Sequence, residues 1–107
     1  MNDAYSAKIL KSKATKKYSI IKNILDHILI GVKKDYSTQQ LCDRLNEFNI
    51  KPLIADSWSY HSLQMQLMFI ARLDEANSLA RGFANMLRTG DATLDDLARI
   101  QARTKQG

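Results

Sequence analysis

Only three side chains among the 107 residues offer an imidazole or a thiol: His27, Cys42 and His61. None lies within one or two helical turns of another, so the spacing expected of a zinc ligand set is missing. Gly31, Gly82, Gly90 and Gly107 are scattered and form no phosphate-cradling loop. The acidic pairs Asp74-Glu75 and Asp95-Asp96 each fall where a helix begins, and the helix dipole alone favours carboxylates there. Acid–base work would also need a convergent pocket around them. These residues therefore predict no catalytic group, no metal site, no cofactor and no enzymatic activity. Cys42 adjoins a leucine stripe and reads as a small packed hydrophobe; His27 sits in an apolar helix and reads as a flank or core residue.

The charge is uneven. Residues 1–34 hold eight lysines (Lys8, Lys11, Lys13, Lys16, Lys17, Lys22, Lys33, Lys34) against Asp3 and Asp26, a net of +6, whereas residues 35–107 net −1. A basic first third lowers the free energy of meeting a polyanion by releasing condensed counterions, nucleic acid being the natural target. The same residues also fit a solvated lysine tail. With 45% apolar residues, one proline and four glycines, the chain has the makings of one folded domain. Its length leaves much surface uncovered, which favours a homodimer. A single cysteine suits a reducing, cytoplasmic compartment. Apolar runs fall far short of a membrane span, and the N-terminus lacks the apolar core of a signal peptide.

Residues 1–17 are polar and lysine-rich and predict an arm or a frayed helix. From Tyr18 onward, Ile20, Ile21, Ile24, Leu25, Ile28, Leu29 and Val32 recur at helical spacing, predicting a helix over 18–34. Ser37-Thr38-Gln39-Gln40 is a capping box opening a second helix with Leu41, Leu45 and Phe48 inward, ending near Asn49 before Pro52. Ser57 or Ser59 can cap a third helix. The stretch up to Thr89 reads as one long helix or, preferably, two, broken near Leu73-Asp74-Glu75 with Asp74 as cap. Ala76, Leu79, Ala80, Phe83, Met86 and Leu87 form a stripe, either core or dimer face. Gly90 is a stop, and Thr93 starts a last helix with Leu94, Leu97, Ala98 and Ile100 inward. Arg72, Arg81, Arg88, Arg99 and Arg103 interleave with acidic residues as a salt-bridged surface. The fold class is all-α, a compact bundle of four to five helices in a single domain over 18–107, with C-terminal helices over 74–105.

Residues 36–72 resemble the helix-turn-helix segment of the large serine recombinases and of short phage proteins carrying the same element. Ser37 matches the first cap, Leu45-Asn46 the Leu-Asn pair, Ile50-Lys51-Pro52 the turn, Trp58 the aromatic, Ser59 the second cap, and Leu63 with Leu67 the buried side of the second helix. Ala55-Asp56 departs from the family's glycine and basic residue, and the catalytic domain is missing. The resemblance implies that the first helix crosses a DNA backbone while the second enters the major groove. Trp58 would then pin the loop to the core. Ser59, Tyr60, His61, Ser62 and Gln64 would face phosphates and base edges, glutamine pairing with adenine and hydroxyls holding phosphates. The leading expectation is a small non-enzymatic DNA-binding regulator or accessory factor of a phage or mobile element. Its binding residues would be Lys11, Lys13, Lys16, Lys17, Ser59, Tyr60, His61, Ser62, Gln64 and Arg72. Met65, Met68 and Phe69 on the outward face of the second helix support the alternative, a phage-encoded interaction module or inhibitor binding a host protein or nucleoprotein complex. RNA binding through the lysines alone is a third reading.

Overall fold

Five α-helices make up the structure, a computed structural model that describes residues 2–53 and 55–104, with side chains from Lys17 onward. They are α1 (Asn2–Lys33), α2 (Thr38–Glu47), α3 (Tyr60–Ala71), α4 (Ser78–Thr89) and α5 (Leu94–Thr104). No strand occurs among the described residues, so the chain is an all-α bundle. The region read as an arm or frayed helix and the helix predicted at 18–34 share one continuous α1. The side chains of Lys11, Lys13 and Lys16 lie outside the described residues. At ~1.5 Å per residue, α1 runs about 48 Å, which accounts for most of the 54 Å long axis. No described helix is both long and apolar enough to cross a membrane.

Local chemistry sets the helix ends. The Ser37 hydroxyl accepts from the Gln40 N–H at 3.1 Å, and the Gln40 side chain accepts from the Ser37 N–H at 2.9 Å. Ser59, rather than Ser57, caps α3 through the same reciprocal pair with Ser62. Thr93 and Asp96 repeat the device at α5. Helices α1, α2 and α3 each end in a six-residue closure, with Tyr36 N–H donating to Gly31 O, Ile50 to Leu45 and Asp74 to Phe69. The residue inside each closure takes a positive φ: Asp35 at 60°, Asn49 at 57° and Leu73 at 51°. Leucine enters that region reluctantly; Leu73 is held there with its side chain packed against the core. The break between the third and fourth helices is therefore real, but its cap differs from the one predicted. Asp74 accepts from Ala76 N–H inside the turn, and Asn77 caps α4 by accepting from Ala80 N–H at 2.9 Å. Gly90 closes α4 at φ 86°.

The core joins Ile24, Leu25, Ile28, Leu29 and Val32 of α1 to Leu41, Cys42 and Leu45 of α2, Leu63, Leu67 and Ile70 of α3, Leu79, Phe83 and Met86 of α4, and Leu97 and Ile100 of α5. Helix α3 lies at the centre, touching α2, α4 and α5. Two glycines let helices approach closely. A Cβ at Gly82 would stand 2.7 Å from the Ile21 Cγ2 methyl, and one at Gly31 would collide with a methyl of Leu41. Several residues of the predicted apolar stripes face out, Ile20 (43% exposed) in α1 among them. Phe48 (53% exposed) falls at the C-cap of α2, past the helical stripe, and Leu94 (76%) occupies the first turn of α5 while Asp96 takes the buried position. Ala98 lies one residue off the Leu97–Ile100 stripe, and Ala76 belongs to the turn before α4; both are exposed. Leu79, Ala80, Phe83 and Met86 of the α4 stripe are core, while Leu87 is half-buried against it.

Phe48 is held at the surface by two neighbours. Arg44 places its guanidinium carbon 4.8 Å from the ring centre, and the His27 ring lies 5.6 Å from it at a tilt of 38°. His27 Nδ1 is buried without a partner among the described residues. Desolvation, reinforced by the Arg44 charge and opposed by Asp26, lowers the His27 pKa from its ordinary 6.5. The fold thus prefers the neutral ring. The stability this contributes is complete above the ordinary value of 6.5 and is lost as pH falls from there toward the folded-state pKa. Urea midpoints measured between pH 7.5 and pH 5 (about one unit either side of the titration) are expected to fall, and to fall less in His27→Gln.

Candidate nucleic-acid interface

The described residues between α2 and α3 follow a route fixed by a single side chain. Asn46, in the last turn of α2, accepts from the Trp58 N–H through Oδ1 at 2.8 Å and donates from Nδ2 to the Trp58 carbonyl at 2.8 Å. The Cys42 thiol donates to the same carbonyl at 3.4 Å. The Trp58 indole N–H donates to Ile50 O at 2.6 Å, and the ring is only 4% exposed. A buried peptide group needs both its donor and its acceptor satisfied. Here one primary amide does both, which seats the residue immediately before the α3 cap against α2. Cys42, buried and desolvated, has its pKa raised, with Asp43 adding to the effect. It remains a thiol that packs, as its position beside Leu41 predicts.

With Trp58 anchored and Leu63, Leu67 and Ile70 buried, the first turn of α3 is turned outward. Tyr60 is 51% exposed and His61 is exposed. The other predicted reading residues are more occupied. The Ser62 hydroxyl donates to Ser59 O and accepts from Ser59 N–H, so both serines serve the cap. Gln64 is half-buried and accepts from the Thr38 hydroxyl at 3.4 Å, tying α3 to the start of α2 instead of standing free to meet a base. Arg72 is exposed but caps the far end of α3, about 18 Å along the axis from Tyr60. Lys17 is exposed on α1. On the outward face of α3, Met65 is 38% exposed, while Met68 and Phe69 are half-buried against the bundle.

An open notch of about 490 Å³ lies where the start of α2 meets Tyr60 and the end of α5. Asp35, Tyr36, Ser37, Thr38, Gln39 and Gln40 line one side; Tyr60 and Arg103 line the other. The first-turn N–H groups of α2 lack intrahelical partners and carry the positive end of its dipole, and Ser37 satisfies only that of Gln40. The charge pattern predicts Arg103 on a salt-bridged surface. It is instead half-buried, with Nε and Nη1 shielded and without partners among the described residues. Burial lowers its pKa from the usual value, and the Asp35 carboxylate opposes that shift. A guanidinium stays charged regardless. The notch therefore combines a fixed cation, a helix N-terminus, hydroxyls and amides, with one carboxylate at its edge, and its chemistry suits an oxyanion such as a backbone phosphate. The signal in the sequence was the spacing Asp96, Ile100, Arg103, which continues the buried stripe of α5 by one further turn.

Among the described residues, ion pairs join only Lys22 to Asp26 and Arg99 to Asp95; Arg81 and Arg88 bind Ser78, the Glu75 carbonyl and Asn85 instead. No group of three or more histidine, cysteine or acidic side chains able to hold a metal occurs among them. Comparison with known proteins gave no matching family model, curated relative or solved structure.

Replacing Asn46, itself exposed, with alanine leaves the buried Trp58 N–H without its protein partner. Asn46→Ala is expected to cost about 1–3 kcal/mol in urea unfolding. It should also shift the emission of Trp58, the only tryptophan, to the red in the native baseline as the loop loosens.

Proposed function

We propose that this chain is a non-enzymatic DNA-binding protein that docks a backbone phosphate in the notch at the start of α2 and presents Tyr60 and His61 to the adjoining groove. The observation that carries this reading is the juxtaposition at that notch. The positive end of α2 and the shielded Arg103 guanidinium lie beside the exposed first turn of α3. Phosphate contacts of this kind fix register, and side chains beside them then meet base edges. The lysines of α1 add a sequence-independent attraction: net charge over residues 1–34 is +6. The resemblance of residues 36–72 to the helix-turn-helix of large serine recombinases and short phage proteins supports a role as regulator or accessory factor of a phage or mobile element, acting in the cytoplasm. Met65, exposed beside Met68 and Phe69, favours a second reading in which α3 grips a host protein or nucleoprotein complex.

A mobility-shift titration of duplex DNA across salt concentrations tests the proposal. Arg103→Gln is expected to weaken binding about tenfold on every sequence. Changing Lys11, Lys13, Lys16 and Lys17 to glutamine should flatten the salt dependence by up to about 3–4 units of slope. Tyr60→Ala with His61→Ala should reduce discrimination between sequences more than it reduces affinity for random DNA. Absence of any shift even at about 50 mM salt, where nonspecific binding is strongest, would overturn the nucleic-acid reading in favour of a protein partner.

A further inference from the structure

Among the described residues Leu94 is the most exposed of the large apolar side chains, at 76%. It occupies the first turn of α5 directly after Thr93, whose N–H and hydroxyl are locked to Asp96. Exposed Asp91 and Asp95 flank it. On the outer side of α4 lies an open groove of about 630 Å³, with a floor of half-buried Leu73, Ala84 and Leu87. Arg81 and Arg88 stand at its rim, with Glu75 at one end. Neither arginine is ion-paired to a carboxylate among the described residues.

From these two features we infer that the chain forms a two-fold homodimer in which Leu94 of each copy enters the Leu73–Leu87 groove of the other. Polarity and charge fit: an apolar knob beside carboxylates meets an apolar floor beside guanidinium groups. Asp95 is bridged by Arg99 and Asp91 accepts from Thr89, yet each carboxylate keeps acceptor capacity for a second cation. Placement fits as well. Five residues of chain lie between Arg88 and Leu94, a span of at most about 20 Å, so the knob is a near neighbour of the Arg88 side of the groove. A two-fold axis between them lets both contacts form at once, which is what an isologous interface requires. This surface shares no residue with the notch or with the first turn of α3, so the inference does not rest on the DNA reading.

Sedimentation velocity over about 5–300 µM, the range that resolves a micromolar self-association, tests it. Wild type is expected to move from one 12.2 kDa chain toward the mass of two as concentration rises. Leu94→Glu and Arg88→Glu, both at exposed positions and checked for unchanged helical circular dichroism, should each weaken association by about tenfold or more. A wild type that stays at the mass of one chain at the highest concentration overturns the pairing and leaves the groove to another occupant. Association that either variant leaves unchanged overturns it too.

Discussion

The peptide group of Trp58 is buried against α2, and a buried N–H or carbonyl without a partner costs as much as a lost hydrogen bond. Asn46 meets both needs with one side chain, at 2.8 Å in each direction. Much else follows from that constraint. The loop returns to α2 at a defined height, Ser59 is delivered to the position where it caps α3, and the indole reaches Ile50 O. The first turn of α3 then emerges beside the start of α2, which is how Tyr60 comes to share a notch with Thr38, Gln39 and Arg103. Without the clamp, the leucine stripe of α3 would still bury itself, but the azimuth of its N-terminal turn would be less determined.

The central helix serves two masters. Leu63, Leu67 and Ile70 fill the middle of the bundle, and Gln64, Met68 and Phe69 are partly drawn into its flanks. Only the first turn and Met65 remain well outside. Such a helix cannot offer a long polar face to a groove. Under the proposed DNA reading, its contribution is concentrated at its N-terminus, where exposed side chains and oriented N–H groups coincide. Positive charge is supplied from elsewhere, by Arg103 from α5 and by the lysines of α1.

Most of the fold was legible because helix signals are local. The capping box at Ser37, the stop at Gly90 and the apolar spacings from Ile21 to Ile100 all report on neighbours a few residues away. Most of the differences fall at helix edges, Ala98 in the middle of α5 and Ile20 in α1 apart. Phe48 and Leu94 follow the apolar pattern by type but sit at a C-cap and in a first turn, where direction is set by the cap rather than by the stripe. Asp74 is a good capping residue, yet the left-handed turn at Leu73 moves the start of α4 to Asn77. The candidate site was only half legible. Tyr60 and His61 are where the pattern placed them, whereas the diversion of Gln64 to Thr38 and the enclosure of Arg103 depend on contacts across 26 residues or more of chain and on how α5 meets α2. The two glycines that admit α1 against α2 and α4 were likewise invisible, because only tertiary packing gives Gly31 and Gly82 their role.

Titrating isotope-labelled protein with duplex DNA while following amide and arginine side-chain NMR signals tests the central claim most directly. The notch account predicts that the largest shifts cluster at the backbone amides of Thr38, Gln39, Tyr60 and His61 and at Nε–H of Arg103, with smaller ones along α1. Shifts confined to the lysine-rich segment, or centred on Met65 and Met68 with the notch undisturbed, would contradict it.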